Sequence, residues 1–270
     1  MLGAAEIREL AAELDLRPTK KLGQNFVIDP NTIRRIVQAA HLSPDDSVVE
    51  IGPGLGSLTL GILEQVDQLT AVEVDPKLAS ILERTIAKHA PDKKIELVSA
   101  DALRVTQLPK RPTALVANLP YNISVPVLLH FIETFPTIQK ALVMVQAEVA
   151  HRLAAKPGGK EYGAPSAKLA WFGEARLAGN VGRNVFWPAP QVDSALVFFE
   201  RNQRQGDRHE VFRVIDAAFA QRRKTLRQAL AIWAGGSAAA QEILERAGID
   251  PSARGEQLGI DDFEAVASCK

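Results

Sequence analysis

The stretch DSVVEIGPGLGSLTLGIL, residues 46–63, reads as a short apolar-rich strand, a glycine turn and a helix that begins near Ser57. Glu50, Gly52, Gly54 and Gly56 form E-x-G-x-G-x-G at that junction. Glycines let the backbone turn tightly and approach a ligand, and a helix amino end beside them offers N–H donors. The dinucleotide fingerprint requires G-x-G-x-x-G. Counted from Gly52, its third glycine falls on Ser57, and counted from Gly54 it falls on Thr59, so neither register fits.

The same strand-helix rhythm extends to both sides. NTIRRIVQAA has helical periodicity and follows a polar, basic loop, RPTKKLGQNFVID. TAVEVD, KIELVSAD, TALVAN and KALVMVQ are strand candidates, with helices DPKLASILERTIAKH and VPVLLHFIETF among them. Strands alternating with helices predict an α/β fold with a parallel sheet covered on both faces. Beyond Gln146, EVAHRLAAKPGGKEYGAPS reads as a helix and a Gly/Pro-rich loop, and EARLAGNVGRNVFWPAPQVDSALVFFE as two strands joined by a proline-bearing loop. The polar stretch RNQRQGDRHE precedes three helical segments, EVFRVIDAAFAQRRKTLRQALAIW, SAAAQEILERAG and IDDFEAVAS, which places a boundary between about Arg201 and Arg208.

Composition narrows the function classes. The 270 residues, 46% of them hydrophobic, can fill one large domain or a domain with a smaller annex. The opening MLGAAEIRELAAELDL does not read as a secretory signal, and no segment approaches the roughly 20 apolar residues of a membrane span. A cytoplasmic location is expected, with no membrane partner. The single cysteine, Cys269, excludes an internal disulfide, and the five histidines lie far apart, so no metal site is expected. Lysine plus arginine equals aspartate plus glutamate at 32 each, so a polyanion must be met by a local patch.

The glycine spacing resembles the S-adenosylmethionine loop of class I methyltransferases. A carboxylate at Glu73, ending the second strand, can accept both hydroxyls of a ribose. Asp75 competes for that role, but its place before Pro76 makes it a helix cap. Asp101, ending KIELVSAD, is placed to accept from an adenine amino group. Any one of these acids alone reads as a solvated strand end; three successive strand ends bearing the loop and both acids argue for a cofactor site.

LVANLPYNISVP, residues 115–126, ends an apolar run in an amide, a rigid kink and an aromatic ring. An adenine N6 amine is a poor nucleophile because its lone pair is delocalised into the ring. A site that accepts hydrogen bonds from both its N–H groups favours a pyramidal nitrogen. Asn118 can offer its side-chain oxygen and Leu119, held open by Pro120, its carbonyl. Tyr121 can stack on a base taken out of its helix, a role in which Tyr121→Phe would be mild. The plainer alternative is a strand end with a proline turn and a half-buried tyrosine.

Together, LGQNF (22–26), EIGPGLG (50–56), NLPYNIS (118–124), QAEVAHRLAAKPGGKEYG (146–163), FWPAPQVDSALV (186–197) and FAQRRKTLRQAL (219–230) resemble the ribosomal RNA adenine N6,N6-dimethyltransferases of the small-subunit (KsgA/RsmA) type. The resemblance implies a class I, Rossmann-like α/β catalytic domain over residues 1–203. It also implies a small helical C-terminal domain over 204–270 that contributes to RNA binding. The implied reaction is dimethylation of two adjacent adenosines in the 3′-terminal hairpin of small-subunit RNA, on a pre-30S particle, by a monomer. S-adenosylmethionine would be held by Asn25, Val27, Gly52, Gly54, Gly56, Glu73, Asp101 and Asn118. Phe186 matches the second stacking ring opposite Tyr121, with Trp187 as its rival. Arg222, Arg223, Lys224 and Arg227, read as part of a helical segment, would dock RNA, with Lys20 and Lys21 nearby in sequence to LGQNF. Two competitors share these features: a large-subunit adenine methyltransferase of the macrolide-resistance type, and a non-catalytic RNA-binding or transcription factor on the same scaffold.

Overall fold

In the computed structural model, which describes residues 1–14 and 25–270, every residue of the strand Ser47–Ile51 is buried, as a strand covered on both faces requires. Lys20, Lys21 and residues 22–24 of LGQNF lie outside the described residues. In chain order the strands are β1 (Phe26–Val27), β2 (Ser47–Ile51), β3 (Gln68–Glu73), β4 (Ile95–Ser99), β5 (Ala114–Asn118), β6 (Lys140–Gln146), β7 (Gly173–Val181), β8 (Phe186–Trp187) and β9 (Ser194–Arg201). Seven of them form one sheet in the order β4-β3-β2-β5-β6-β9-β7. Strands β2 to β6 run parallel, and β9 is antiparallel to β6. The order reverses direction between β2 and β5. In open α/β sheets the carboxyl ends of the strands at such a point frame the ligand crevice.

The helices of this first unit are α1 (Ala4–Glu13), α2 (Pro30–Ala39), α3 (Ser57–Leu63), α4 (Pro76–His89) and α5 (Ser124–Thr134). Aspartate before proline starts two of them. Asp29 accepts from the Asn31 and Thr32 amides ahead of α2, and Asp75 accepts from Lys77 N at 2.9 Å ahead of α4. Leu2 and, from helix α1, Ile7 and Ala11 enter an apolar cluster with Phe26, Leu55, Leu60, Leu78 and Ile81, so this segment backs strand β1 at Phe26 and the glycine loop at Leu55. The acidic side of α1 pairs with α4 through Glu6–Lys88 (2.7 Å) and Glu13–Arg84 (2.5 Å). These exposed pairs contribute little beside the apolar burial.

Contacts divide the chain into two units, Met1–Ala150 with Leu177–Arg201, and His151–Arg176 with Asn202–Lys270. Residues 151–176, expected with the sheet as part of 1–203, therefore cluster with the C-terminal helices. The cause is aromatic packing. Tyr162 is 1% exposed, donates to Leu258 O at 2.9 Å and sets its ring edge against Phe219, while Phe172 meets Phe212 edge-on. Helix α6 (Ala147–Leu153) spans the division, and the second unit holds α7 (Ala164–Phe172), α8 (Arg208–Ala220), α9 (Leu226–Ala229), α10 (Ala231–Ala234), α11 (Ser237–Arg246) and α12 (Ile260–Ser268).

The long helical run expected from residue 210 to 233 is broken after Ala220. Leu226 N donates to Ala253 O and Arg227 N to Pro251 O, so the first turn of α9 is satisfied by another loop instead of by a continuing α8. Arg222, Arg223 and Lys224 thus sit in a turn, not on a helix. No helix among the described residues is long and apolar enough to cross a membrane.

Candidate active site at the strand carboxyl ends

The ends of β2, β3, β4 and β5 surround a cavity of about 170 Å³, lined by residues that include Asn25, Val27, Gly52, Gly54, Glu73, Asp101 and Asn118. Sequence reading singled out all seven. The eighth, Gly56, does not line it. Gly56 has φ 95° at the start of α3, and a Cβ there would lie 3.0 Å from Leu82 and 3.3 Å from Thr85, so this glycine serves close helix packing. Gly52 and Gly54 are also left-handed, at φ 68° and 59°. A Cβ on Gly54 would collide with Phe26 at 2.9 Å, whereas one on Gly52 would meet no protein atom within 4 Å and so would take space from a ligand.

Glu73 ties the loop to the sheet. Its Oε2 accepts from Gly54 N (3.3 Å) and its Oε1 from Asp75 N (3.0 Å), at 5% exposure. Burial raises its pKa, and these two backbone donors oppose the rise. Asp101 accepts from Leu103 N at 3.0 Å and caps the short turn Ala102–Arg104, which fixes its carboxyl at the rim. At the end of β5, Asn118 Nδ2 donates to Asn25 O at 2.9 Å, which leaves Oδ1 as the amide's accepting atom. Leu119 N donates to Met144 O at 3.1 Å, holding the peptide that follows.

Sequence reading gave no role to Glu50 or Ser57, yet both line the cavity. Glu50 Oε2 and Ser57 Oγ find no hydrogen-bond partner among the described residues although both are buried. The available signal was an acid flanked by Val48, Val49 and Ile51 inside a strand that is buried throughout. Burial pushes the Glu50 carboxyl up to about 8, and the charge of Glu73 adds to the effect. A group that ionises near 4.5 when unfolded and near 8 when folded binds an extra proton in the native state between those values, so stability falls as pH rises through that window and levels off above it. Without cofactor, wild type is expected to lose on the order of 1–3 kcal/mol relative to Glu50→Gln between about pH 5 and pH 8. Thermal melts across that range measure it; parallel curves for the two proteins would exclude a protonated Glu50.

The aromatic pair is not assembled as expected. Tyr121 is half-buried, but Phe186 is 3% exposed and belongs to a core cluster with Val27, Val181 and Phe198. The reason is the two-residue ladder β1–β8, which pairs Val27 with Phe186 and Phe26 with Trp187 and turns the neighbouring side chains to opposite faces. Trp187 packs partly buried against the cluster of Leu55 and Leu78. Of the four cations, Arg222 is held by Glu256 (3.0 Å) and Lys160 O (2.6 Å), and Arg227 by Gln241. Arg223 and Lys224 are exposed without a side-chain partner among the described residues.

The cavity suits S-adenosylmethionine. It offers carboxylate acceptors at Glu73 and Asp101 for hydroxyl and amine donors, an unpartnered carboxyl oxygen at Glu50 and a loop open at Gly52. Among the described residues no group of three or more His, Cys, Asp or Glu could hold a metal ion.

Comparison with known proteins agrees. Residues 16–269 match the family model for ribosomal RNA adenine dimethylase. Similar proteins include a ribosomal RNA small subunit methyltransferase A from Thermobifida fusca, 60% identical and covering 99% of this chain and 95% of its own. Another of that name from Streptomyces coelicolor is 58% identical, covering 100% and 97%. Among solved structures, a dimethyladenosine transferase from Plasmodium falciparum superposes with a TM-score of 0.76 at 24% identity, covering 88% of this chain and 94% of that one. The 23S rRNA methyltransferase ErmE gives 0.68 at 27%, covering 90% and 98%. A sheet ordered to place the glycine loop, Glu73 and Asn118 around one cavity is thus the class I S-adenosylmethionine-dependent methyltransferase fold, and this chain belongs to the ribosomal RNA adenine dimethylase family.

Proposed function

We propose that this enzyme dimethylates N6 of two adjacent adenosines in the 3′-terminal hairpin of small-subunit ribosomal RNA, acting as a monomer on an assembling subunit. The observation that carries the chemistry is the anchored amide of Asn118. With Nδ2 committed to Asn25 O, Oδ1 is preset to accept from the adenine amine. S-adenosylmethionine, when bound, supplies the electrophilic methyl. Asn118 Oδ1 and the Leu119 carbonyl draw the two N–H groups and sharpen the nitrogen lone pair; Tyr121 carries the base. Relatives named for the small subunit are 60% and 58% identical, against 27% for the 23S enzyme, which favours the small-subunit substrate.

Phosphate contacts dominate nucleic-acid affinity, and the formal net charge here is zero. A pre-folded ribosomal surface, on which a few modest contacts act together, suits such a protein better than bare RNA. Arg223 and Lys224 are the cations best placed to make them. Replacing both by Gln is expected to weaken subunit binding and to lower the salt slope by roughly 1.4–1.8, since each phosphate contact contributes about 0.7–0.9. Cofactor affinity should not change. Arg222→Gln should instead lower the melting temperature, because Glu256 and Lys160 O lose their partner. The test of function is methylation of unmethylated small subunits against the isolated hairpin at matched salt, with the modified bases mapped. Paired dimethyladenosines and a strong preference for the subunit are expected. Equal efficiency on both substrates would remove the subunit requirement, and modification of large-subunit RNA instead would favour the macrolide-resistance type.

A further inference from the structure

The Tyr121 hydroxyl lies 2.6 Å from Ser194 Oγ, and Ser194 is fully buried. Stacking gives no reason for that hydroxyl, because a phenylalanine ring presents the same face to a base. We infer that Ser194 is a positioning residue that holds the Tyr121 phenol and so fixes the plane on which the target base is laid; this rests on the base-stacking reading of Tyr121 given above.

The surroundings make Ser194 a rigid anchor. It is the first residue of β9 and pairs in register with Gln146 at the end of β6. Just before it, Asp193 O accepts from Ala147 N at 2.9 Å and Asp193 Oδ1 accepts from Arg183 N at 3.2 Å, so both backbone and side chain of its neighbour are tied down. The other end of the tyrosine is held too, as Ser124 Oγ donates to Tyr121 O at 3.4 Å. The ring is therefore clamped at its phenol and at its backbone, and the residue as a whole is half-buried. An aromatic platform ordered before the base arrives saves the conformational cost of ordering it on binding. A buried serine merely needing a partner would predict a stability effect alone.

The experiment compares Ser194→Ala, Tyr121→Phe and their combination in the full-length enzyme acting on unmethylated small subunits. Each single change is expected to lower kcat/KM roughly 2- to 13-fold, the fold-change one neutral hydrogen bond carries. The combination should be no worse than the poorer single variant, because both break one bond. Cofactor Kd should stay constant. The chain has two tyrosines, so ¹³Cζ-labelled tyrosine gives two NMR signals, and Ser194→Ala should move only that of Tyr121. The inference fails if the single variants keep wild-type kcat/KM, if their effects add fully, or if only the melting temperature falls. Tyr121→Ala separates it from the reading beneath it. If that variant is severely impaired while Tyr121→Phe and Ser194→Ala are silent, only the anchor is wrong; if Tyr121→Ala is itself harmless, base stacking on this ring is wrong.

Discussion

Asn118→Ala is expected to lower kcat roughly 10²- to 10³-fold, the usual cost of deleting one preorganised group that acts on developing charge. The amide's acceptor strengthens its interaction as the adenine nitrogen becomes pyramidal, so the loss falls on kcat more than on substrate binding. The structure adds a second consequence. Asn118 Nδ2 holds Asn25 O, and Asn25 and Val27 line the cofactor cavity, so removing the amide also frees that wall. One neutral hydrogen bond is worth about 1 kcal/mol, which corresponds to a cofactor Kd raised roughly 5-fold. Asn118→Asp separates the two roles. The carboxylate keeps an acceptor for the amine but sets an oxygen against Asn25 O where a donor stood, so the variant should lose the anchor and most turnover with it. Single-turnover methylation and calorimetric titration read the two effects. Asn118→Ala with wild-type kcat would remove this residue from the mechanism.

What was legible in the sequence followed the range of the interactions involved. Strands β2 to β6 were readable because apolar runs bounded by turn residues are a local signal, and the Asp75 cap because aspartate and proline act on the next turn. Glu73 and Asp101 were legible for the same reason, as Glu73 ends β3 and Asp101 follows β4 within two residues, whereas Glu50 lies inside β2 and was not. Ladder β1–β8 was not: two residues show no periodicity, and its pairing joins Val27 to a partner far along the chain. That ladder decides which of Phe186 and Trp187 faces the core, so the second stacking ring could not be assigned from FWPAP alone. Nor could the basic run be read correctly. QRRKTLRQ has helical composition, but the 251–253 loop captures the amides that would begin α9, and Glu256 captures Arg222. Tertiary context overrides propensity at both places.

Glu73→Ala should raise the S-adenosylmethionine Kd roughly 10²- to 10⁴-fold, as two ribose hydroxyls lose a charged acceptor worth about 1.5–3 kcal/mol each. The structure predicts that the amide is no remedy. Both carboxylate oxygens already face donors, Gly54 N and Asp75 N, so in Glu73→Gln the side-chain NH₂ must point at one of them. That variant should therefore lose nearly as much affinity as the alanine, although glutamine fills the same space. If the negative charge were the only requirement, Glu73→Asp would retain it; the shorter side chain cannot span from β3 to the glycine loop and should also bind weakly. Asp75→Ala provides the contrast two residues away. It removes the α4 cap, costing about 0.5–2 kcal/mol of stability with cofactor affinity kept, because Asp75 presents only its backbone amide to Glu73. Calorimetric titrations paired with thermal melts distinguish the two acids. A cofactor Kd that rises for Asp75→Ala and stays put for Glu73→Ala would reverse their roles, and an intact Glu73→Gln would show that the Gly54 contact does not order the loop.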